Sequence, residues 1–254
     1  MDKKRILENV IAPISGLALF IILWCVAAAA VGKSILLPSP TETVSGFFSL
    51  LSERTFYLAV GKTLGRTLIG FLLAFSLASI FALLSKAFFF FRKAFAPITV
   101  IIRVLPTISI ILLVLIWIKS RFAPFVITFI VLFPMLYTTI LNAADGVDPG
   151  LVEMSKVYGL SLGKKVRSLY LPAMIPSILT GISLTLSFSV KLTVAAEVLA
   201  SAQDSMGRYM SQASAYIETP MLLAWTLAAI LLGFLLEGTV LLIKKMIVRH
   251  YRGN

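Results

Sequence analysis

The sequence predicts an all-α polytopic membrane protein with six transmembrane helices and a two-helix loop on the cytoplasmic side. Three observations carry this reading. Hydrophobic residues make up 59% of the 254 positions and charged residues 13%, against roughly 45–50% and 25% in soluble domains. The mean hydropathy is +0.99, and a soluble fold of this size has no interior large enough for so much apolar side chain. Apolar runs of about 20 residues, the length that crosses a bilayer, recur six times along the chain.

The first run, about Val10–Val31, follows the basic cluster Lys3-Lys4-Arg5. Its apolar stretch of about 22 residues exceeds the roughly 7–15 of a cleaved signal. Trp24 before Cys25 is too large for a lipoprotein cleavage site, so this run reads as a membrane anchor. Gly32–Arg66 then holds the breaker cluster Leu37-Pro38-Ser39-Pro40 and a short helix through Phe47–Leu58. The next runs are about Thr67–Ser85, Ile98–Ile118 and Phe122–Ala143, with Pro106 and Pro134 marking kinks inside two of them. The Phe88–Phe91 run beside Arg92 and Lys93 reads as an interfacial belt. The last two runs are about Ile175–Leu199 and Met221–Ile247. Two polar stretches separate them from their neighbours: Asp145–Pro172, and Ser201–Pro220 with Asp204, Arg208 and Glu218. No internal repeat is visible, and residues 1–254 read as a single domain.

An even number of spans puts both termini on one side. That side carries 14 lysines and arginines and the other carries 7. The excess assigns the termini and the 145–172 loop to the cytoplasm. It also accounts for the +12 net charge, because basic segments sit against anionic headgroups. Nucleic-acid binding would need a basic face on a soluble fold, and none is present.

Composition narrows the chemistry further. Cys25 is the lone cysteine and cannot form an internal disulfide. His250 is the lone histidine, which removes histidine-based metal sites and Ser-His or Cys-His catalysis. No His pair and no in-span aspartate occurs, so an intramembrane hydrolase lacks its catalytic base and metal cage. Gly32-Lys33-Ser34 echoes a phosphate-binding loop, but Ala27 stands where the first glycine belongs, and no Gly-x-x-x-x-Gly-Lys-Ser/Thr is present. The chain therefore carries no ATPase. A secondary carrier working alone is the competing transport class, but carriers commonly show inverted repeats.

The 145–172 loop is the informative segment. Asp148 can cap a helix that begins at Pro149. The helix runs through Leu151, Val152, Ser155 and Tyr158, and Gly159 ends it in a left-handed turn. Ser161 can cap a second short helix through Val166, Leu169 and Tyr170, with Pro172 and Pro176 bracketing the entry to the fifth span.

Glu153-Met154-Ser155, then Gly159, then Leu169-Tyr170-Leu171-Pro172 resembles the EAA loop of ATP-binding-cassette importer permeases. That pattern is Glu-Ala-Ala, three residues, Gly, nine residues, Ile-x-Leu-Pro. The spacing matches throughout, and the departures are Met154, Ser155 and Leu169. Three further stretches are similar to the nitrate/sulfonate/taurine group of these permeases: Leu36-Leu37-Pro38-Ser39-Pro40, Thr63-Leu64-Gly65-Arg66-Thr67-Leu68-Ile69-Gly70, and Lys191-Leu192-Thr193-Val194-Ala195-Ala196-Glu197 followed by Gly207.

The resemblance implies the type I importer permease fold in a bacterial inner membrane, and transport of small anions or vitamin precursors. It implies a separate ABC ATPase subunit that binds ATP and Mg, so no cofactor belongs to this chain. It also implies an extracytoplasmic substrate-binding protein and a second permease copy, as a homodimer or with a similar chain. The bent pair 149–170 would dock on the ATPase. Gly159 would set the bend, Leu151, Met154, Val157 and Tyr158 would supply packing, and Glu153 would face the partner.

Charges at membrane depth are functional candidates, since placing one there costs at least ~2.5–3.5 kcal/mol. Lys191 and Glu197 lie six apart in the fifth span and do not share a face. Lys191 has two readings, an anionic substrate or a carboxylate on another helix. Glu197, near the outer end, reads as bonding backbone N–H groups or the binding protein. Arg103 can snorkel to an interface, and Glu237 reads as a polar inter-helix contact. Ser183, Thr185, Ser187 and Ser189 do not share one face of a helix, so they read as packing groups.

Overall fold

The structure, a computed structural model, describes residues 3–252. The side chains of residues 3–10, 162 and 248–252 lie outside the described set, and with them the Lys3-Lys4-Arg5 cluster, Arg249, His250 and Arg252. Eleven α-helices follow one another: α1 Lys3–Val31, α2 Pro40–Leu51, α3 Arg54–Ala87, α4 Phe89–Val104, α5 Thr107–Trp117, α6 Ala123–Asp145, α7 Pro149–Val157, α8 Leu162–Lys165, α9 Leu171–Ala200, α10 Met206–Ala215 and α11 Thr219–Arg252. No strand occurs among the described residues.

Five of these are long and apolar enough to cross a membrane alone. The third expected span, Ile98–Ile118, bends at Pro106 far more sharply than a kink: it is a broken pair, α4 and α5, meeting at an angle of 97°. Pro106 lacks an N–H and forces the residue before it out of helical geometry, and Leu105 sits at ψ 131°. The pair still crosses the bundle. At its start Arg92 pairs with Asp145 at the C-terminal end of α6 (2.8 Å). At its finish Lys119 and Arg121 share a cavity with Lys62 and Arg66 near the start of α3. We call the Asp145 end lower and the Lys62 end upper.

Helix α3 has 34 residues, about 50 Å at 1.5 Å per residue, so it overshoots a ~30 Å hydrocarbon core. The sequence reading began this span at Thr67, because Arg54, Lys62 and Arg66 interrupt the hydropathy. The same reading ran a short helix through Phe47–Leu58, but the chain breaks at Ser52-Glu53. The preceding helix starts earlier, where Ser39 and Glu42 cap α2 reciprocally. Ser201–Pro220, read only as polar, contains α10, capped by Ser205 accepting from the Arg208 N–H at 3.1 Å.

The core is α3 against α6 and α6 against α9, with α11 closing the other side of α9. Small residues let the backbones approach, as membrane packing requires. Ala59, Thr63, Thr67, Gly70, Ala74, Ala78, Ala82 and Ser85 form a buried stripe on α3. A Cβ on Gly70 would lie 2.7 Å from the Phe125 carbonyl oxygen and 2.8 Å from Thr128 Cβ. At the lower end Phe81, Phe95, Phe133 and Tyr137 pack edge to face. In the belt run, Phe88, Phe89 and Phe90 are exposed, while Phe91 stacks on Phe95. Helix α1 stands apart: only 6% of its apolar window is buried, and the Trp24 indole N–H reaches the Pro38 carbonyl at 2.9 Å.

Candidate functional site

The lower end carries the loop singled out by its spacing. Asp148 accepts from the Gly150 N–H at 2.8 Å. Helix α7 ends where Gly159 takes φ +60°, with the Leu160 N–H reaching back to the Ser155 carbonyl at 3.1 Å. Nothing lies within 4 Å of a Cβ at Gly159, so glycine answers to the backbone angle and not to crowding. Ser155 is buried, and Val152 packs on the core. The opposite face bears Leu151, Met154, Val157 and Tyr158, all exposed, with Val157 at 86%. Glu153 is exposed beside them.

The second half of the loop differs from expectation. It is no separate helix ended by Pro172. Residues 163–200 run on as one helix through a π-helical turn at Val166–Tyr170. The Leu171 N–H bonds the Val166 carbonyl, and this wider turn accommodates Pro172, which has no N–H to offer. Leu169 is half-buried against the core and Leu171 is exposed.

At the upper end, two of the stretches quoted for the resemblance converge. Glu197 on α9 is fully buried. Its carboxylate accepts from Arg66 Nη1 at 2.8 Å, Thr63 Oγ1 at 2.8 Å and the Gly207 N–H at 3.3 Å. Thr63 Oγ1 in turn accepts from the Met206 N–H at 3.1 Å. Arg66 Nη2 donates to the Gln203 carbonyl at 3.2 Å. A Cβ on Gly207 would lie 2.5 Å from Glu197 Cβ and 2.7 Å from both the Val194 carbonyl oxygen and the Val198 nitrogen. One carboxylate thus clamps α3, α9 and α10 together. Spacing alone did not reveal this clamp: Arg66 and Glu197 lie 131 residues apart. Beyond the clamp, Lys62 pairs with Asp204. That ion contact holds the Asp204 carboxyl below the usual carboxylate range.

Midway, a groove of about 520 Å³ opens between α9, α10 and α11, lined by Ser187, Lys191, Val194, Met210, Thr226 and Phe234 among others. Lys191 is its only charged lining residue and makes no ion pair among the described residues. Arg103 is exposed in the last turn of α4, beside the Pro106 bend, and is unpaired among the same residues. Glu237 is half-buried on α11. Ser183, Thr185 and Ser189 are buried between helices, while Ser187 reaches the groove.

A bundle of apolar helices with a capped, exposed elbow at one end defines an integral membrane component. The chain belongs to the family of binding-protein-dependent transport system inner membrane components, whose model matches residues 70–252. Named permeases are similar to it over most of their length. It is 27% identical over 216 residues to a permease named for aliphatic sulfonates transport, SsuC of Escherichia coli (strain K12), covering 84% of this chain and 81% of that one. The Bacillus subtilis (strain 168) permease of the same name is 23% identical, covering 91% and 84%. The formylaminopyrimidine transport permease ThiX of Halalkalibacterium halodurans is also 23% identical, covering 85% and 86%. Among solved structures, the fold matches the inward-facing MetNI methionine ABC transporter with TM-score 0.64 at 20% identity, covering 74% of this chain and 94% of that one. It matches a bacterial alginate importer with TM-score 0.65 at 16% identity, covering 96% and 98%.

Proposed function

We propose that this chain forms half of the translocation pathway of an ABC importer for a small organic anion of the sulfonate class. One observation carries the reading: helix α7 presents Leu151, Met154, Val157 and Tyr158 outward from a fixed turn. Exposed apolar side chains clustered on one helix face mark a partner surface. The partner is the ATPase subunit, which holds ATP and Mg, and the lower end faces the cytoplasm with both termini. Because the π-helical turn joins the elbow to α9, a push on α7 passes directly to the helix that bears Lys191.

The solute class rests on Lys191, the one charge in an otherwise apolar groove, and on two relatives named for aliphatic sulfonates. A binding protein delivers the solute to the upper end. A second copy of this chain completes the pathway, consistent with the exposed apolar flank of α1. V157E/Y158E should insert normally but lose co-purification with the ATPase. Native-level co-purification would refute the docking role. Reconstituted with ATPase and binding protein, K191A should take up an aliphatic sulfonate at least ten-fold more slowly, since removing a charge-assisted contact forfeits about 1.5–3 kcal/mol. Unchanged uptake would demote Lys191 to packing.

A further inference from the structure

The upper cavity has no place in that account. We propose that it is a binding site for a small organic oxyanion, a sulfonate or carboxylate, ahead of the membrane groove. The inference deepens the transport reading and rests on it only for the sense of travel. The cavity measures about 680 Å³, within the range of small-molecule sites. Three segments enclose it: α3 with Lys62 and Arg66, the α5–α6 turn with Lys119 and Arg121, and the α9–α10 turn with Asp204 running into Arg208 in the first turn of α10.

The charges do not balance. Lys62 is matched by Asp204, and Arg66 by Glu197 beneath the floor. Lys119, Arg121 and Arg208 make no ion pair among the described residues, which leaves the lining of one cavity with an excess of three positive charges. Arg208 Nη1 donates to the Ser201 carbonyl at 3.3 Å. The Arg121 guanidinium lies 4.9 Å from the centre of the Phe122 ring. Both contacts position a guanidinium without neutralising it. A concave wall of one sign focuses the field and raises the local concentration of counter-ions. Forked guanidinium donors match the paired oxygens of a sulfonate or carboxylate.

The site is also built in advance. Ser201 and Asp204 hold left-handed backbone angles of φ 47° and 49°, and the Glu197 clamp fixes the turn from below. An anion can therefore be received without reordering the loop.

The test is equilibrium binding of methanesulfonate to the full-length chain, purified in detergent at low salt and also placed in phosphatidylglycerol nanodiscs. The native chain should bind in both settings. K119A/R121A/R208A should weaken binding at least ten-fold, and K119A alone two- to three-fold. R54A, which removes an upper-end charge outside the cavity, should leave binding unchanged. Equal binding by the native chain and both cavity variants would overturn the proposal. Binding only in delipidated detergent would also overturn it, because the occupant would then be a lipid phosphate. Co-purification with the ATPase, scored on the same preparations, is independent of this cavity. Its retention alongside absent methanesulfonate binding would condemn the anion site and leave the transport reading intact.

Discussion

Replacing Glu197 should unfasten the upper end of the bundle. Its carboxylate has three donors, the Arg66 guanidinium, the Thr63 hydroxyl and the Gly207 N–H, and no exposure to water. Breaking a buried pair by removing one partner costs about 3–5 kcal/mol, because the other charge is stranded. Arg66 keeps 14% of its side-chain exposure and the Gln203 carbonyl, so E197A should fall at the low end, about 3 kcal/mol. At roughly 2–4 °C per kcal/mol for a chain of this length, that is a drop of about 6–12 °C in thermal midpoint. E197Q keeps the shape and one acceptor, and should lose about half as much, on the order of 1.5 kcal/mol. R66M/E197M removes both charges and should recover part of the loss, since a hydrophobic replacement of a buried pair is often close to neutral. The assay is a double-mutant cycle of thermal midpoints on detergent-purified protein. Additive effects within about 0.5 kcal/mol would refute the clamp.

Other consequences follow from single positions. G207A drives a methyl against Glu197, Val194 and Val198 and should cost about 1–3 kcal/mol by overpacking; a native thermal midpoint would contradict that approach. Ile217 holds φ 60°, a conformation that disfavours L-residues by roughly 1–2 kcal/mol and that asparagine tolerates. I217N should therefore raise the midpoint, and a lower one would count against the strain. The Asp204 carboxyl is held below its ordinary range by its hydrogen bond to Lys62. A group depressed in the folded state contributes above its unfolded value, about 3.9, and loses the contribution as pH falls through the folded value. Native and D204N midpoints should thus differ by a constant, small amount well above the unfolded value and converge as pH falls below it. A gap that widens on acidification would reverse the sign.

Much of this architecture was legible from local chemistry. Asp148-Pro149 and Gly159 bound α7 because capping and left-handed turns depend on a few neighbouring residues. The apolar runs mark the spans because hydrocarbon admits little else. What was missed depends on partners distant in sequence or on backbone detail. Pro97, Pro134 and Pro176 lie within continuous helices, so Pro106 alone did not announce a 97° turn. Helix α3 hides its first turns because Lys62 and Arg66 are spent on Asp204 and Glu197, residues the hydropathy of α3 cannot see. The π-helical turn before Pro172 likewise follows from how α8 continues into α9, not from composition. Glu197 itself was one carboxylate near a span end until the fold placed Arg66, Thr63 and Gly207 around it.

The central claim is that the α7 elbow receives the ATPase at the lower, cytoplasmic end. Cysteine crosslinking in inverted membrane vesicles tests it directly, with the native Cys25 replaced by serine. V157C should crosslink to the ATPase, and Y216C, exposed in the loop after α10, should not. Labelling of V157C from the outside of intact cells, or its failure to reach the ATPase, would contradict the account.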